Sequence, residues 1–197
     1  MKLKKLYAES KMEEKILEVI KKAKSEIREM LLSVYHFNSS FSLNAEQKAL
    51  LEKIIEAMIK IDRKYFVPEE YLAHCYDDNA LPVGRGQTIS QPSTVARMLI
   101  LASIKKNDDI LEVGAGSGWN SVLIAYIVNP GKVITADRIK LLIDIANKNI
   151  KRLEKAIKKK LNITLIAEDA LNEISSVWIN KYDKINIVNV DDLYYAA

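Results

Sequence analysis

A glycine-rich stretch near the middle of the chain has the residue types of a ligand-binding turn. It reads EVGAGSGWN at residues 112–120, and its glycines are Gly114, Gly116 and Gly118. A short apolar run at residues 109–113 precedes it and a helical pattern follows, so the glycines should lie where a strand turns into a helix. Ligands of open α/β sheets bind at such carboxyl ends of strands.

The spacing of these glycines argues against two common nucleotide sites. A dinucleotide-binding turn needs G-x-G-x-x-G, and the position of its third glycine is occupied here by Trp119. A phosphate-binding P-loop needs a lysine followed by a hydroxyl residue, which the stretch lacks. Glu112, two positions before the first glycine, would repel a pyrophosphate and would suit a ligand with an ammonium or sulfonium charge.

Two further acidic residues follow later apolar runs. Asp137 closes the run at 132–137, where a carboxylate can accept hydrogen bonds from both hydroxyls of a ribose. Asp169 follows the run at 163–168 and could accept from an adenine amino group. Three acids at three successive strand ends around a G-x-G-x-G turn predict a site for S-adenosyl-L-methionine. The simpler alternative is a tight turn whose neighbouring acids only cap helices.

Short apolar, β-branched runs alternate with helical patterns throughout the second half of the chain. The strand runs are 109–113, 132–137, 163–168 and 184–190, and the helical segments lie near 118–128, 139–158 and 170–180. Nearly continuous apolar strands that alternate with helices predict an α/β fold, in which helices cover both faces of a parallel sheet. The region 105–197 is therefore the predicted core.

The first 61 residues have a different, helical pattern. Residues 10–34 predict one amphipathic helix, with capping-box spacing at Ser10, and residues 45–61 predict a second. The polar stretch 36–44 separates them as a hinge. The inward-facing residues of the first helix are Ile16, Ile20, Ala23, Ile27, Met30 and Val34. We expect residues 1–61 to form a helical cap and not an independent domain.

A second polar stretch, GRGQTISQP at residues 84–92, lies in the region 62–104, whose pattern is irregular up to Pro92 and then predicts a helix to about Ser103. It carries hydroxyl and amide side chains that can donate hydrogen bonds, and Pro92 suits the first position of a helix. The two glycine-containing stretches could face each other across one pocket.

Three runs resemble the protein-L-isoaspartate O-methyltransferases: DRKYFVP at 62–68, YDDNALPVGRGQTISQP at 76–92 and ILEVGAGSGW at 110–119. The resemblance extends from about Glu46 to Asp183, and its specific part is GQTISQP, which general methyltransferases lack. It implies a Rossmann-like sheet with strand order 3-2-1-4 in this chain. It also implies methyl transfer from S-adenosyl-L-methionine to the α-carboxylate of L-isoaspartyl residues in damaged proteins.

The resemblance implies roles for individual residues. Ser90 resembles the family's active-site serine, and Thr88 is expected to help it hold the substrate carboxylate. Ser90 could instead simply cap the helix that begins at Pro92. With Glu112, the expected cofactor contacts are Gly84, Gln87, Gly114, Gly116, Gly118, Asp137, Arg138, Asp169 and Ala170. No metal is expected.

The sequence departs from the family in three places. At residues 188–195 it reads VNVDDLYY, with two extra acids where the family usually has a small-residue Thr-Ala-Ala segment. Where the family has Gly-Asp-Gly after its third strand, this chain has Glu168-Asp169-Ala170, which implies a stiffer turn. The chain also stops at Ala197, whereas the family continues through three further strands. We therefore expect the strand at 184–190 to be an exposed apolar edge, which a second copy or another chain could pair with.

These departures leave two other functions open. The chain could be a non-catalytic or partner-dependent relative that binds the cofactor, or a methyltransferase for RNA or a small molecule. The basic stretch 148–160 fits RNA, but its apolar residues at helical spacing favour a solvated helix face. Retention of GQTISQP argues against a changed substrate.

Composition sets broader bounds. The net charge of +4 is too small to indicate nucleic-acid binding by itself. The one cysteine, Cys75, forms no internal disulfide, and the basic N-terminus lacks the apolar run of a signal peptide. The longest apolar run, 121–128, is too short to cross a bilayer. We therefore expect a cytoplasmic protein.

Overall fold

The structure is a computed structural model that describes residues 2–170, 172 and 181–187, with side-chain surroundings from residue 10 onward. Its helices are α1 (Lys2–Lys22), α2 (Ser25–Ser39), α3 (Ala45–Lys60), α4 (Pro92–Ala102), α5 (Trp119–Val128) and α6 (Lys140–Ile157). Its strands are β1 (Leu81–Gly84), β2 (Gln87–Ile89), β3 (Ile110–Val113), β4 (Val133–Ala136), β5 (Ile163–Ile166) and β6 (Lys184–Ile187). Two short 3₁₀ helices, Arg63–Phe66 and Glu69–His74, join α3 to β1.

The central sheet contains the four strands that the apolar runs predict. They are parallel and lie in the order β5-β4-β3-β6. Every residue of β3 and β4 is buried, which explains why these two runs have no polar alternation. The α/β fold class is confirmed. Residues 171, 173–180 and 188–197 lie outside the described part, so the helix near 170–180 and the end of the last strand stay predictions.

The single helix predicted over 10–34 is wrong in its bounds. The chain forms two helices there, because Lys24 has extended backbone angles of φ −58° and ψ 146°. The apolar stripe is nevertheless buried along its whole length, from Ile16 to Val34. One extended residue leaves the three- and four-residue spacing intact, so periodicity does not reveal the break. The helix also begins before Ser10, which therefore does not cap it.

The hinge predicted over 36–44 is shorter than expected, because α2 continues to Ser39. Helix α3 begins with a capping box. The side chain of Asn44 accepts from the Gln47 N–H, and the Gln47 side chain accepts from the Asn44 N–H. This exchange satisfies two N–H donors at the start of the helix. The helix begins at Ala45, as the sequence predicts.

The stretch 84–92 is not an irregular loop, because it contains the turn of an antiparallel hairpin. Strands β1 and β2 pair Leu81 with Ile89 and Pro82 with Thr88. The two central turn residues, Arg85 and Gly86, have φ of 56° and 74°, as a type I′ turn requires. The sequence-based interpretation missed this hairpin because its strands are short and contain proline and glycine.

The N-terminal helices share one hydrophobic core with the second half of the chain. Leu31, Ile54 and Met58 belong to the same buried cluster as Leu99 and Val122 of α4 and α5. Within the described residues, no helix is long and apolar enough to cross a membrane.

Candidate active site

The two glycine-containing stretches line opposite sides of one cleft. Residues 87–90, at the end of the hairpin, and residues 114–117 after β3 supply most of its lining residues, with Trp119, Asn120 and Asp137. The two sides approach closely, since a Cβ added to Gly116 would lie 3.8 Å from the carbonyl oxygen of Thr88. The prediction that both stretches face one pocket is therefore confirmed.

Backbone hydrogen bonds attach the glycine turn to the sheet. The Gly114 N–H donates to the Ala136 carbonyl at 2.8 Å. The Asp137 carboxylate accepts from the Gly116 N–H at 3.3 Å and from the Ile139 N–H at 2.9 Å. The bond from the Ile139 N–H resembles helix capping, which is the role that the simpler alternative gives to Asp137. A carboxylate has about four acceptor positions, so Asp137 can still accept from a ligand.

Gly118 has a packing role in the structure. Its φ is 87°, and a Cβ there would lie 3.1 Å from the Cβ of Ala146 and 3.3 Å from Cδ1 of Ile150 in α6. In a dinucleotide-binding turn the third glycine, at the position of Trp119, allows a helix to pack closely. Here Gly118, one residue earlier, has that role. Trp119 is free to turn inward, where it is 1% exposed and its Nε1–H donates to the Ile61 carbonyl.

Glu112 lies beneath the glycine turn and does not line the cleft. Its carboxylate accepts hydrogen bonds from Asn120 Nδ2 and Thr135 Oγ1, both at 2.7 Å, and from the Ser121 hydroxyl. Burial raises the pKa of Glu112 to about 7, and these three donors oppose the rise. The carboxylate is 0% exposed beneath the turn, and the expected direct contact between Glu112 and a cationic ligand stays a prediction.

The hairpin side of the cleft is held by Arg63, a residue that the sequence-based prediction missed. Its guanidinium is 1% exposed and donates to the carbonyls of Cys75, Asp77, Asn79 and Ser90 at 2.9–3.1 Å. Burial lowers the pKa of Arg63 to about 10, so the side chain stays charged at neutral pH. Its only sequence signal is its place in the DRKYFVP motif.

Asp78 is a second missed residue, and it holds the chain just after the hairpin. Its carboxylate accepts from the Ser93 N–H at 2.8 Å, from the Ser93 hydroxyl, and from Gln91 Nε2 at 3.2 Å. The N-cap of α4 is Gln91, whose side chain makes no capping bond. Ser90 therefore does not cap this helix, which removes the simpler explanation for that residue.

Six of the twelve predicted site residues line the cleft: Ser90, Thr88, Gln87, Gly114, Gly116 and Asp137. The other six do not line it: Gly84, Glu112, Gly118, Arg138, Asp169 and Ala170. Gly84 ends β1 and is exposed, and Arg138 and Asp169 are exposed beyond the ends of β4 and β5. Their predicted contacts stay predictions.

The cleft has groups that fit S-adenosyl-L-methionine. Asp137 offers a carboxylate for hydroxyls, and α5 begins at the cleft without a side-chain cap, which suits an anionic group. Asn120 also lines the cleft, and its Oδ1 atom is buried and accepts no hydrogen bond from the described part of the chain. These groups match a nucleoside joined to an amino acid. The described residues contain no group of three or more potential metal ligands.

Comparison with known proteins identifies a family. The profile of the family described as protein-L-isoaspartate(D-aspartate) O-methyltransferase matches residues 41–187. A protein-L-isoaspartate O-methyltransferase of Thermosipho melanesiensis is 48% identical over 102 residues, which cover 51% of this chain and 52% of that protein. The one from Fervidobacterium nodosum is 40% identical over 136 residues, covering 68% and 65% respectively.

The fold matches a solved structure from Plasmodium falciparum with a TM-score of 0.65 and 23% identity. The match covers 83% of this chain and 73% of that one, which is described as a protein-L-isoaspartate O-methyltransferase in complex with S-adenosyl-L-homocysteine. At that identity the likeness supports the fold alone. The chain spans about half the length of several curated relatives that it matches.

Proposed function

The chain belongs to the protein-L-isoaspartate(D-aspartate) O-methyltransferase family, and from that premise we propose that it methylates the α-carboxylate of L-isoaspartyl residues in damaged proteins. The observation that carries this proposal is the single cleft formed by the family-specific hairpin and the glycine turn. One side suits a cofactor and the other carries hydroxyl side chains that suit a carboxylate.

Ser90 and Thr88 are the proposed substrate contacts. A carboxylate is ionised at neutral pH, so the nucleophile needs no general base. Hydroxyl and backbone N–H donors can hold one carboxylate oxygen and leave the other free to attack in line. A lysine at this place would bind more tightly but would also weaken the nucleophile. Ser90 is half-buried, and Arg63 fixes its carbonyl at 3.1 Å, so its hydroxyl is attached to a rigid segment.

Asp137, Gln87 and residues 114–117 are the proposed cofactor contacts within the cleft. Asp137 would accept from ribose hydroxyls, and Gly116, which has no side chain, allows a ligand close to the backbone. S-adenosyl-L-methionine supplies an electrophilic methyl group on a sulfonium centre. The residues of the chain hold it, orient the acceptor carboxylate and exclude water.

Association along β6 is a further part of the proposal. Among the described strands, β6 pairs only with β3, and Ile185 and Ile187 are 48% and 38% exposed. Exposed apolar side chains on an edge strand favour pairing with another strand. Light scattering on the purified chain, compared with an Ile185→Lys variant, tests for self-association. A wild-type protein that is monomeric at high concentration would contradict it.

The proposed activity is tested by methyl incorporation from labelled S-adenosyl-L-methionine into an isoaspartyl peptide. The control is the same peptide with a normal aspartyl residue. We expect transfer to the isoaspartyl peptide alone. Cofactor binding without transfer would favour the non-catalytic alternative, whereas transfer to RNA or a small molecule would favour a different substrate.

Replacing Ser90 with alanine tests the division of roles in the cleft. We expect methyl transfer to fall by about ten- to a hundredfold, because one donor to the carboxylate is lost. Affinity for S-adenosyl-L-homocysteine in calorimetry should change by less than about twofold. Thr94→Ala, at an exposed position of α4, is the matched control. A collapse of cofactor affinity in Ser90→Ala would mean that the assigned roles are wrong.

A further inference from the structure

Asn120 combines burial, a place in the cleft and an unused acceptor. It is the second residue of α5, is 7% exposed and lines the cleft. Its Nδ2 donates to Oε1 of Glu112 at 2.7 Å. Its Oδ1 is buried and has no hydrogen-bond partner among the described residues. Such an acceptor costs about 1–3 kcal/mol, so it calls for an explanation.

Glu112 fixes the orientation of this amide. Above pH 7, where Glu112 is ionised, its carboxylate only accepts hydrogen bonds, so Asn120 turns its NH₂ group toward Glu112 and its oxygen away. The second carboxylate oxygen of Glu112 is occupied by the hydroxyls of Ser121 and Thr135. Glu112 itself is 0% exposed and cannot reach a ligand. Asn120 is therefore the group through which this buried carboxylate can influence a ligand in the cleft.

We propose that Oδ1 of Asn120 accepts a hydrogen bond from the α-ammonium group of S-adenosyl-L-methionine, an inference that rests on the proposed function. The cofactor has three kinds of donor: ribose hydroxyls, the adenine amino group and the ammonium. The carboxylate of Asp137 at the end of β4 suits the hydroxyls. When Glu112 is ionised, its negative charge behind the Asn120 amide favours a cation over a neutral donor.

This assignment revises the role expected for Glu112. The sequence places an acid two residues before the first glycine and predicts that it meets a cationic group directly. In the structure that acid is a positioning residue, because it holds the amide whose oxygen is available to the cation. The ligand charge that the sequence predicts is the same, but the contacting atom belongs to Asn120.

Calorimetry with two ligands separates this inference from the proposed function. One ligand is S-adenosyl-L-homocysteine, and the other is its desamino analogue, in which hydrogen replaces the amino group. Asn120→Ala should bind S-adenosyl-L-homocysteine at least about tenfold more weakly than the wild type, because a hydrogen bond to a charged group is lost. Its affinity for the desamino analogue should change by less than about twofold. Asn147→Ala, at an exposed position of α6, is the matched control.

The outcomes are distinct. If Asn120→Ala weakens both ligands equally, or weakens neither, Asn120 does not contact the ammonium and the inference is overturned. If the wild type binds neither ligand, the proposed function itself is overturned, and this inference with it.

A measurement on the wild-type protein covers the case in which Asn120→Ala does not fold. The side-chain amide protons of Asn120 can be followed by NMR during titration with each ligand. We expect S-adenosyl-L-homocysteine to shift these signals and the desamino analogue to leave them nearly unchanged. Equal shifts with both ligands would overturn the inference.

Discussion

The two sides of the cleft are built in different ways. The glycine turn follows a buried strand of the parallel sheet, and backbone bonds to β4 and the Asp137 carboxylate hold it. The opposite side is a hairpin of two short strands, with no place in that sheet. It buries Leu81, Val83 and Ile89 in the main core, and the side chains of Arg63 and Asp78 hold the chain just after it. Substitutions on the two sides should therefore differ in their effects on stability.

Arg63→Met should have the largest effect, and it should be on the hairpin side. It removes a buried charge that satisfies four carbonyls, so we expect a loss of about 4 kcal/mol in the free energy of unfolding. Denaturant titration measures this loss. Arg152→Met, at an exposed position of α6, should cost less than about 0.5 kcal/mol. A similar small loss at Arg63 would mean that its four hydrogen bonds do not hold the hairpin.

Glu112→Gln tests the sheet side through pH. The folded-state pKa of Glu112 is about 7, above its ordinary 4.5, so the folded protein holds an extra proton between these values. Stability from this group is therefore present below pH 4.5 and is lost as pH rises through 7, by about 3 kcal/mol. Between pH 4.5 and pH 8 the free energy of unfolding should fall less in Glu112→Gln than in the wild type. Glu70→Gln, at the surface, should retain the wild-type fall, and equal falls in all three proteins would contradict the burial argument.

Gly118→Ala and Gly86→Ala compare the two glycine turns directly. Both glycines have positive φ, of 87° and 74°, so alanine strains each by about 1 kcal/mol. Only at Gly118 would the added Cβ approach another helix, at 3.1 Å from Ala146, whereas Gly86 has nothing within 4 Å. Thermal unfolding should show a loss of about 2 kcal/mol for Gly118→Ala and about 1 kcal/mol for Gly86→Ala. Equal losses would mean that α6 yields to the added methyl group.

Asp78→Ala should have a small effect, similar in size to that of Gly86→Ala. It removes the acceptor of the Ser93 N–H at the start of α4, a capping contact worth about 1 kcal/mol. Asp77→Ala is the neighbouring control, since Asp77 is exposed and its carboxylate bonds only to His74 among the described residues. Hydrogen exchange of the Ser93 amide should accelerate in Asp78→Ala alone. Unchanged exchange of the Ser93 amide would mean that Asp78 does not hold the chain after the hairpin.

The same contrast explains what could be predicted from the sequence. The sheet side follows from patterns that a sequence displays directly, namely buried strands without polar alternation and glycines at a strand end. The bounds of β3, β4 and β5 and the start of β6 accordingly lie within a few residues of the apolar runs. The stripe from Ile16 to Val34 was found for the same reason, although the break at Lys24 was not.

The hairpin side could not be predicted in this way. Its strands contain Pro82 and Gly84, which usually interrupt strands, and their pairing depends on positive φ at Arg85. Arg63 and Asp78 act over 12 to 27 residues on backbone groups, which no local pattern records. Asn120 was missed because a single amide in an apolar helix has no distinctive spacing.

Hydrogen exchange with and without S-adenosyl-L-homocysteine tests most directly whether the two sides form one cofactor site. Peptides covering residues 84–92 and 110–120 can be followed together by mass spectrometry. We predict that saturating ligand slows exchange in both peptides, with residues 45–60 of α3 as the unaffected reference. Ligand binding that protects only one of the two stretches, or neither, would contradict the account.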